Sequence, residues 1–401
     1  MKNFFLTQVN YFKLSKSYYI LLLFLGLFNL IFFKILKIFF NININFIDGA
    51  RIGHFVIQGC IFVQLIKKKK SKYLFFVNNV SNDFLLKVLK KKLNITNNFI
   101  IMSILIAKEM FKYLGLNIQL SDICLPKSRK FEKWNNIKEN VIGFSKKEKL
   151  YAKKILKEKF NISSRDKYVC LISRDHAYLR DKNSEHSFRN FNIDLFNLAS
   201  KELIKLGYKV IRMGKKVDRK ISFKNINYID YANSIERSDL LDFYLIKNCS
   251  FMISNVTGLD NIAQIYKKPI CFIVLALNYI YPYRNQNIIL PRIFIDRKNK
   301  FLPLSQIIKN KLTATNKTSV YKKLKTIPLN PRPQDIKMLA REMHLKINGK
   351  LKFNHEKQKK YWKIFFKYSD KKNLHIIELN KKFKPQISNY FLKQNSKWFL
   401  K

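Results

Sequence analysis

Acidic residues are scarce in this chain: 26 Asp and Glu stand against 78 Lys and Arg, a formal charge of +52 over 401 residues. Such a balance points to polyanions, either nucleic acid or an anionic membrane. Specific nucleic-acid readers carry arginine forks on a recognisable module, and no zinc-finger, RNP-type or basic-zipper pattern occurs. Lysine far outnumbers arginine while Asn, Ile, Phe and Tyr abound, the bias of an AT-rich coding sequence, so much of the charge reads as solvated surface. No specific nucleic-acid partner is expected; residual affinity for anionic lipid is.

Glycine (10) and proline (9) are also few, and 47% of residues are apolar, which excludes collagen-like and disordered chains. The five cysteines (Cys60, Cys124, Cys170, Cys249, Cys271) are odd in number and form no Cys-x-x-Cys. They read as small core residues in a reducing compartment. No metal constellation stands out among the six histidines, and no Asp-x-Asp is present to hold a divalent ion on a nucleotide sugar. Neither a metal nor a resident cofactor is expected.

What is present is organised around residues Asn248 to Leu275. Two continuous apolar runs flank a short helical pattern whose Leu259, Ile262, Ala263 and Tyr266 share one face, the signature of a buried parallel βαβ unit. The loop between them lies at the carboxyl end of a strand, where open α/β sheets collect ligands. Thr257 and Gly258 suit a phosphate there, through a hydroxyl and a close backbone approach. Equally, Thr257 with Asp260 reads as a variant capping box that starts a helix.

In chain order, residues Ser17 to Phe33 are uncharged and apolar, with lysines on both sides. A membrane anchor, an in-plane helix and a buried core helix all fit this run. Ile42 to Ile47 alternates as a strand and breaks at Asp48-Gly-Ala-Arg-Ile-Gly-His54 before an apolar segment from Phe55 to Ile66. Arg51, Gly53 and His54 form its loop; His54 is either a base or a histidine satisfied by backbone. A strand (Tyr73 to Val77), a capped helix (Asn82 to Leu93) and a further apolar run (Phe99 to Leu105) follow. Beyond an aperiodic crossing from Pro126 to Phe144 and a lysine-rich helix from Lys146 to Phe160, the strand Tyr168 to Ser173 runs into Arg174-Asp175. An arginine fork there suits a diphosphate, and an ordinary Arg–Asp surface pair is the rival. Arg189-Asn190, a helix ending at Gly207, a strand Tyr208 to Met213 closed by Gly214, and Tyr228 to Ala232 complete an alternation that implies a doubly wound second domain. Tyr231 and Asn278 read as pocket-lining or structural. A helix from Asp335 to Ile347 and a second, Lys357 to Tyr368, with a Tyr361, Trp362, Phe365 and Phe366 stripe, close the chain.

Taken in order, Arg51-Ile-Gly-His54, Cys170-Leu-Ile-Ser-Arg-Asp175, Arg189-Asn190, Val210-Ile-Arg-Met-Gly214, Ile229-Asp-Tyr-Ala232, Arg237-Ser-Asp239 and Val256-Thr-Gly-Leu259 resemble the motifs of a family of bacterial glycosyltransferases of GT-B architecture. Asp335 to Met343 and Ile387 to Leu392 match its terminal helix and closing motif, so the resemblance runs from about residue 45 to 395. It implies an α/β fold of two facing Rossmann-like domains, with C-terminal crossover helices packing back on the first; the apolar run ahead of it adds an N-terminal membrane-associated segment. The expected boundaries are 1–40 for that segment, 41–145 for an acceptor domain, 146–310 for a nucleotide-sugar domain and 311–401 for a basic helical extension.

The resemblance to heptosyltransferase-like and fucosyltransferase-like enzymes further implies donor contacts from Arg174, Asp175, Arg189, Asn190, Arg212, Gly214, Tyr231, Thr257, Gly258 and Leu259. It places an acceptor loop at Arg51, Gly53 and His54, with His54 as base and Arg174 as the principal phosphate ligand. The implied activity is metal-independent transfer of a hexosyl- or deoxyhexosyl-type sugar to a cell-surface polysaccharide or glycolipid, at the cytoplasmic face of the inner membrane. The alternatives are a nucleotide-sugar epimerase of the same fold and a non-enzymatic basic protein that binds membranes or polyanions.

Overall fold

The computed structural model describes residues 2–67, 69–123, 137–177, 184–275, 277, 286–315, 317–369 and 385–396. The chain divides into two compact units, Met1–Phe144 and Ser145–Lys401.

The first unit comprises α1 (Lys2–Phe12), α2 (Lys16–Phe40), β1 (Ile42–Ile47), α3 (Ile52–Ile66), β2 (Lys72–Val77), α4 (Asp83–Lys90), β3 (Ile95–Thr96) and α5 (Phe99–Tyr113). Three of its helices, α2, α4 and α5, start where short polar side chains satisfy otherwise unpaired N–H groups: Ser15 accepts from Tyr18, Asn82 from Leu85 and Asn98 from Ile100. The apolar run that begins at Phe99 opens α5. The strands form a parallel sheet in the order β1-β2-β3, in register from Ile42 opposite Lys72 to Ile47 opposite Val77.

Residues 1–40 are folded into this unit. Tyr19, Leu22, Gly26, Leu30 and Phe33 of α2 face inward, sharing a core with Ile101, Ile104 and Ala107 of α5 and with Ile44 and Phe76 of the sheet. The two helices approach so closely at Gly26 that an added Cβ would lie 2.1 Å from the Ser103 carbonyl oxygen.

The second unit comprises α6 (Lys146–Phe160), β4 (Tyr168–Ile172), α7 (Asn197–Lys205), β5 (Lys209–Arg212), β6 (Tyr228–Ile229), α8 (Asp239–Asn248), β7 (Phe251–Ser254), α9 (Asp260–Ile265) and β8 (Ile270–Val274). It continues with β9 (Ile288–Pro291), β10 (Phe294–Asp296), α10 (Leu304–Lys309), α11 (Thr318–Lys323), β11 (Thr326–Pro328), α12 (Pro333–Ile347), α13 (His355–Tyr368), β12 (Gln386–Ile387) and α14 (Asn389–Gln394). Seven strands form one sheet in the order β12-β9-β8-β7-β4-β5-β6, every pair parallel. Every residue of β4, β7 and β8 is buried, as their unbroken apolar runs require, and each large apolar side chain so buried is worth about 1.5–3 kcal/mol.

Described elements beyond residue 310 extend this unit. α12 packs on α7, β12 adds a strand beside β9, and α13 lies on α10. The aromatic stripe of α13, expected to meet the N-terminal domain, buries Tyr361 and Phe365 beside this packing, while Gln358 exchanges two hydrogen bonds with the backbone of Ile387 in β12. Cys60, Cys170, Cys249 and Cys271 are buried free thiols; Cys124, Asn278 and residues 126–136 of the expected crossing lie outside the described residues.

Candidate functional site

The order β6-β5-β4-β7-β8-β9 runs outward from β4 in one direction and from β7 in the other. The chain therefore reverses its direction of winding between these two strands, and their carboxyl ends open the crevice where such sheets take ligands. Ser173-Arg174-Asp175 leaves β4 there and Asn255-Val256-Thr257-Gly258 leaves β7, the last paired residues being Ile172 and Ser254.

Asn255 joins the two loops. Its Oδ1 accepts from the Arg174 backbone N–H at 2.8 Å, and its Nδ2 donates to the Arg189 carbonyl at 2.9 Å. The Arg189 guanidinium donates to the Val256 carbonyl at 2.6 Å, and Arg174 Nε donates to Asn190 Oδ1 at 3.2 Å. Arg174, Arg189 and Asn190, singled out separately in the sequence, are thus gathered around one buried amide that was given no role. Val256 sits at φ 68°, a left-handed conformation costly for a β-branched residue, and its turn is held there by these bonds.

Thr257 faces inward. Its N–H and hydroxyl both donate to Asp260, at 2.7 and 3.2 Å. Burial pushes the Asp260 carboxyl up to about 6, against the bonds from Ser254 and Thr257 and the charge of Arg189. The arrangement is half of the expected capping box: the carboxylate holds the residue three positions earlier, but the threonine hydroxyl turns to the carboxylate instead of to the helix. Gly258 and Leu259 form the turn that leads into α9.

Other expected donor contacts lie behind this crevice. Arg212 is 1% exposed and reaches the Arg219 carbonyl and, at 3.3 Å, Asp230 Oδ1. Asp175 accepts from the N–H groups of Ala177 and Asp218 at 3.0 and 2.9 Å, with Arg212 at 3.8 Å. Together they hold the segment after Gly214, whose φ of +154° keeps Val217 within 2.7 Å of where a Cβ would stand. Tyr231 is fully buried, exchanges hydrogen bonds with the Ser238 backbone, and has its phenol pushed far up by burial.

Arg292, just after β9, had no role in the sequence reading. It is buried, donates to the carbonyls of Phe188, Pro328 and Leu329 and to Asn330 Oδ1, and lies 5.1 Å from the Phe191 ring. Burial lowers it to about 9. Its grip on Phe188 and Phe191 brackets Arg189-Asn190, which makes it a positioning residue for that pair.

In the first unit the carboxyl ends of β1 and β2 carry a second constellation. His54 Nδ1 lies 2.8 Å from Asp48 Oδ2, at the start of α3, with the imidazole side chain 52% exposed and that of Asp48 largely buried. Burial alone would raise the Asp48 carboxyl; the hydrogen bond and charge of His54, the Ala50 N–H and Arg51 outweigh it and hold the group below the usual carboxylate range. An ionised carboxylate can only accept, so Nδ1 carries the hydrogen and Nε2 is left as the basic nitrogen. The backbone is fitted tightly around the pair. Asp48 N–H donates to Gln58 Oε1 at 2.7 Å and Gly49 N–H to Asn78 Oδ1 at 3.0 Å, and a Cβ at Gly49 would stand 2.3 Å from the Asn78 carbonyl oxygen. Arg51 occupies the N-cap position of α3 and Gly53 lies buried in its first turn. Asp48 is visible in the sequence only as the first residue after a strand, six positions before the histidine it orients.

No protein-family model matches the chain, and no curated protein matches it either. Among solved structures it is similar to the ADP-heptose lipopolysaccharide heptosyltransferase II of E. coli, at a TM-score of 0.35 and 13% identity over 58% of this chain and 84% of that one. A family 9 glycosyl transferase of Veillonella parvula gives a TM-score of 0.31 and 13% identity, covering 59% of this chain and 68% of that one. The glycosyltransferase TibC of enterotoxigenic E. coli gives 0.31 and 12%, covering 58% of each chain. All three belong to the enzyme class that the ordered motifs resemble.

Proposed function

We propose that this protein is a glycosyltransferase that moves a sugar from a nucleotide-sugar donor to a hydroxyl of a saccharide or lipid-linked acceptor at the cytoplasmic membrane face, without a metal. The observation that carries the reading is the convergence of Arg174, Arg189 and Asn190 on the crevice between β4 and β7. In this reading the second unit binds the donor and the first unit handles the acceptor. Charge builds on the diphosphate as the glycosidic bond breaks, and cationic side chains fixed in advance stabilise that charge without reorganising. Arg174 and Arg189 supply it, assisted by the backbone of Gly258 and Leu259. His54 Nε2 takes the proton of the acceptor hydroxyl as its oxygen attacks the anomeric carbon. Asp48 keeps the imidazole in the tautomer that can do so and stabilises the imidazolium that results.

The test is a thermal-shift and calorimetric titration of the full chain with UDP, GDP, ADP, CMP and their sugars, alongside Arg174→Ala. A ligand at 100 times its dissociation constant adds about 2.7 kcal/mol, a shift of a few degrees in a chain of this size. One nucleotide should shift the wild type and fail to shift Arg174→Ala. Equal shifts of both proteins by every polyphosphate, abolished by salt, would overturn the reading in favour of a basic polyanion binder. Product formation without any acceptor would favour the epimerase instead.

A further inference from the structure

Among the described residues α2 is the one helix long and apolar enough to cross a membrane, and its two faces answer whether it does. The inner face is committed to the core over α5 and the β1–β2 sheet, with Gly26 against the Ser103 backbone and Asn29 Nδ2 donating to Ser103 Oγ at 3.0 Å. A helix so attached could enter hydrocarbon only by taking the sheet and its connecting loops with it, and the polar groups that those loops turn to solvent would have no partners there. The outer face is apolar from end to end. Phe24, Phe28 and Ile38 are 68%, 73% and 80% exposed, and Leu21, Ile31 and Ile35 extend the same strip. So large a contiguous apolar surface marks an interaction site.

Charge identifies the occupant. No acidic residue precedes Asp48, while Lys16, Lys34 and Lys37 stand along the helix. An open cavity of about 590 Å³ at its C-terminal end is lined by Lys34, Ile35, Lys37, Ile38 and Gln119, which sets ammonium groups beside apolar side chains. That combination suits a phospholipid headgroup and its first methylenes. We infer that α2 lies in the plane of an anionic bilayer, its outer face seated among the acyl chains near the headgroups, and does not cross it. The inference rests on the first unit alone and stands apart from what the protein transfers. It has a geometric corollary. α2 starts five residues after Tyr11, whose carbonyl accepts from Asn79 just past the end of β2. The edge that carries Asp48 and His54 is therefore the edge nearest the membrane-lying helix's first turn.

The experiment uses the full chain with sealed vesicles of phosphatidylglycerol and phosphatidylcholine, against phosphatidylcholine alone. Binding should favour the anionic vesicles at least tenfold and fall as salt rises, each lysine at the surface being worth about fivefold. Phe24→Glu with Phe28→Glu should weaken binding tenfold or more at unchanged thermal stability, since both side chains are exposed. In a Cys124→Ser background, Lys16→Cys and Asn41→Cys, both beside the apolar strip, should react with an impermeant maleimide added outside. Protection of one end would show a crossing helix and overturn the inference. Equal binding by the double glutamate variant would also overturn it, leaving the lysines alone responsible. So would absence of vesicle binding combined with a wild-type dimer that the double variant dissolves, because the face would then belong to a second copy of the chain.

Discussion

At the scale of single residues, the two constellations differ in what holds them. Asp48 and His54 form a short-range pair whose chemistry depends on a tautomer. His54→Ala should lower kcat about 10²- to 10⁴-fold with little change in donor affinity. Asp48→Asn, which keeps the shape but presents an amide to Nδ1, should lower kcat in the same direction with the KM for donor unchanged. Steady-state kinetics at saturating donor check both, and a loss of donor affinity without loss of turnover would make the histidine a binding group. His54 was legible in the sequence because it stands alone in a short loop. Its partner was not, since nothing local distinguishes a carboxylate that bonds to an imidazole from one that merely ends a strand. Asn255 was still less legible: it bonds to residues 81 and 66 positions away, and periodicity carries only neighbour information. Arg212 shows the opposite error. The resemblance implied a donor contact there, but its side chain runs inward to Asp230.

At the scale of elements, the apolar runs that became β4, β7 and β8 were readable because strands buried on both faces have no alternation to lose. The assignment of α5 was not, because Phe99 to Leu105 is apolar without period and only the Asn98 cap declares a helix. Two contacts between elements can be tested. Gly26→Val would drive side-chain atoms into the backbone of α5, and denaturant titration should show a loss of about 1–3 kcal/mol or more. Glu342 of α12 accepts from the Tyr390 N–H at 2.7 Å and so ties α14 to α12. Burial raises its carboxyl to about 7, above the ordinary 4.5, against hydrogen bonds from Tyr390, Ser388 and Asn389. A folded-state value above the unfolded one means that the group's contribution is complete below pH 4.5 and is lost as pH rises through 7. Glu342→Gln keeps the acceptor and removes the titration. Its Tm should match the wild type near pH 5 and exceed it by several degrees at pH 8, as read by thermal melts across that range.

At the scale of the whole molecule, the charge of +52 is the dominant fact. Few carboxylates are present to offset it, and those in the second unit are largely engaged internally, as with Asp242 under Arg237 and Asp230 under Arg212. Mutual repulsion among the lysines therefore opposes compaction, and salt should relieve it. Tm should rise by several degrees between 20 mM and 300 mM sodium chloride, the reverse of what a protein held together by surface ion pairs would do. A fall in Tm over that range would show that surface ion pairs, such as Lys69 with Asp122, matter more than the repulsion.

The amide of Asn255 bonds to the main chain at Arg174 and Arg189, so that joint does not read their side chains. The side chains are tied in separately, Arg189 to the Val256 carbonyl and Arg174 to Asn190. A library that redirects the crevice therefore has to vary Asn190 and Val256 together with positions 174 and 189, because each arginine carries a bond to its neighbours as well as its charge.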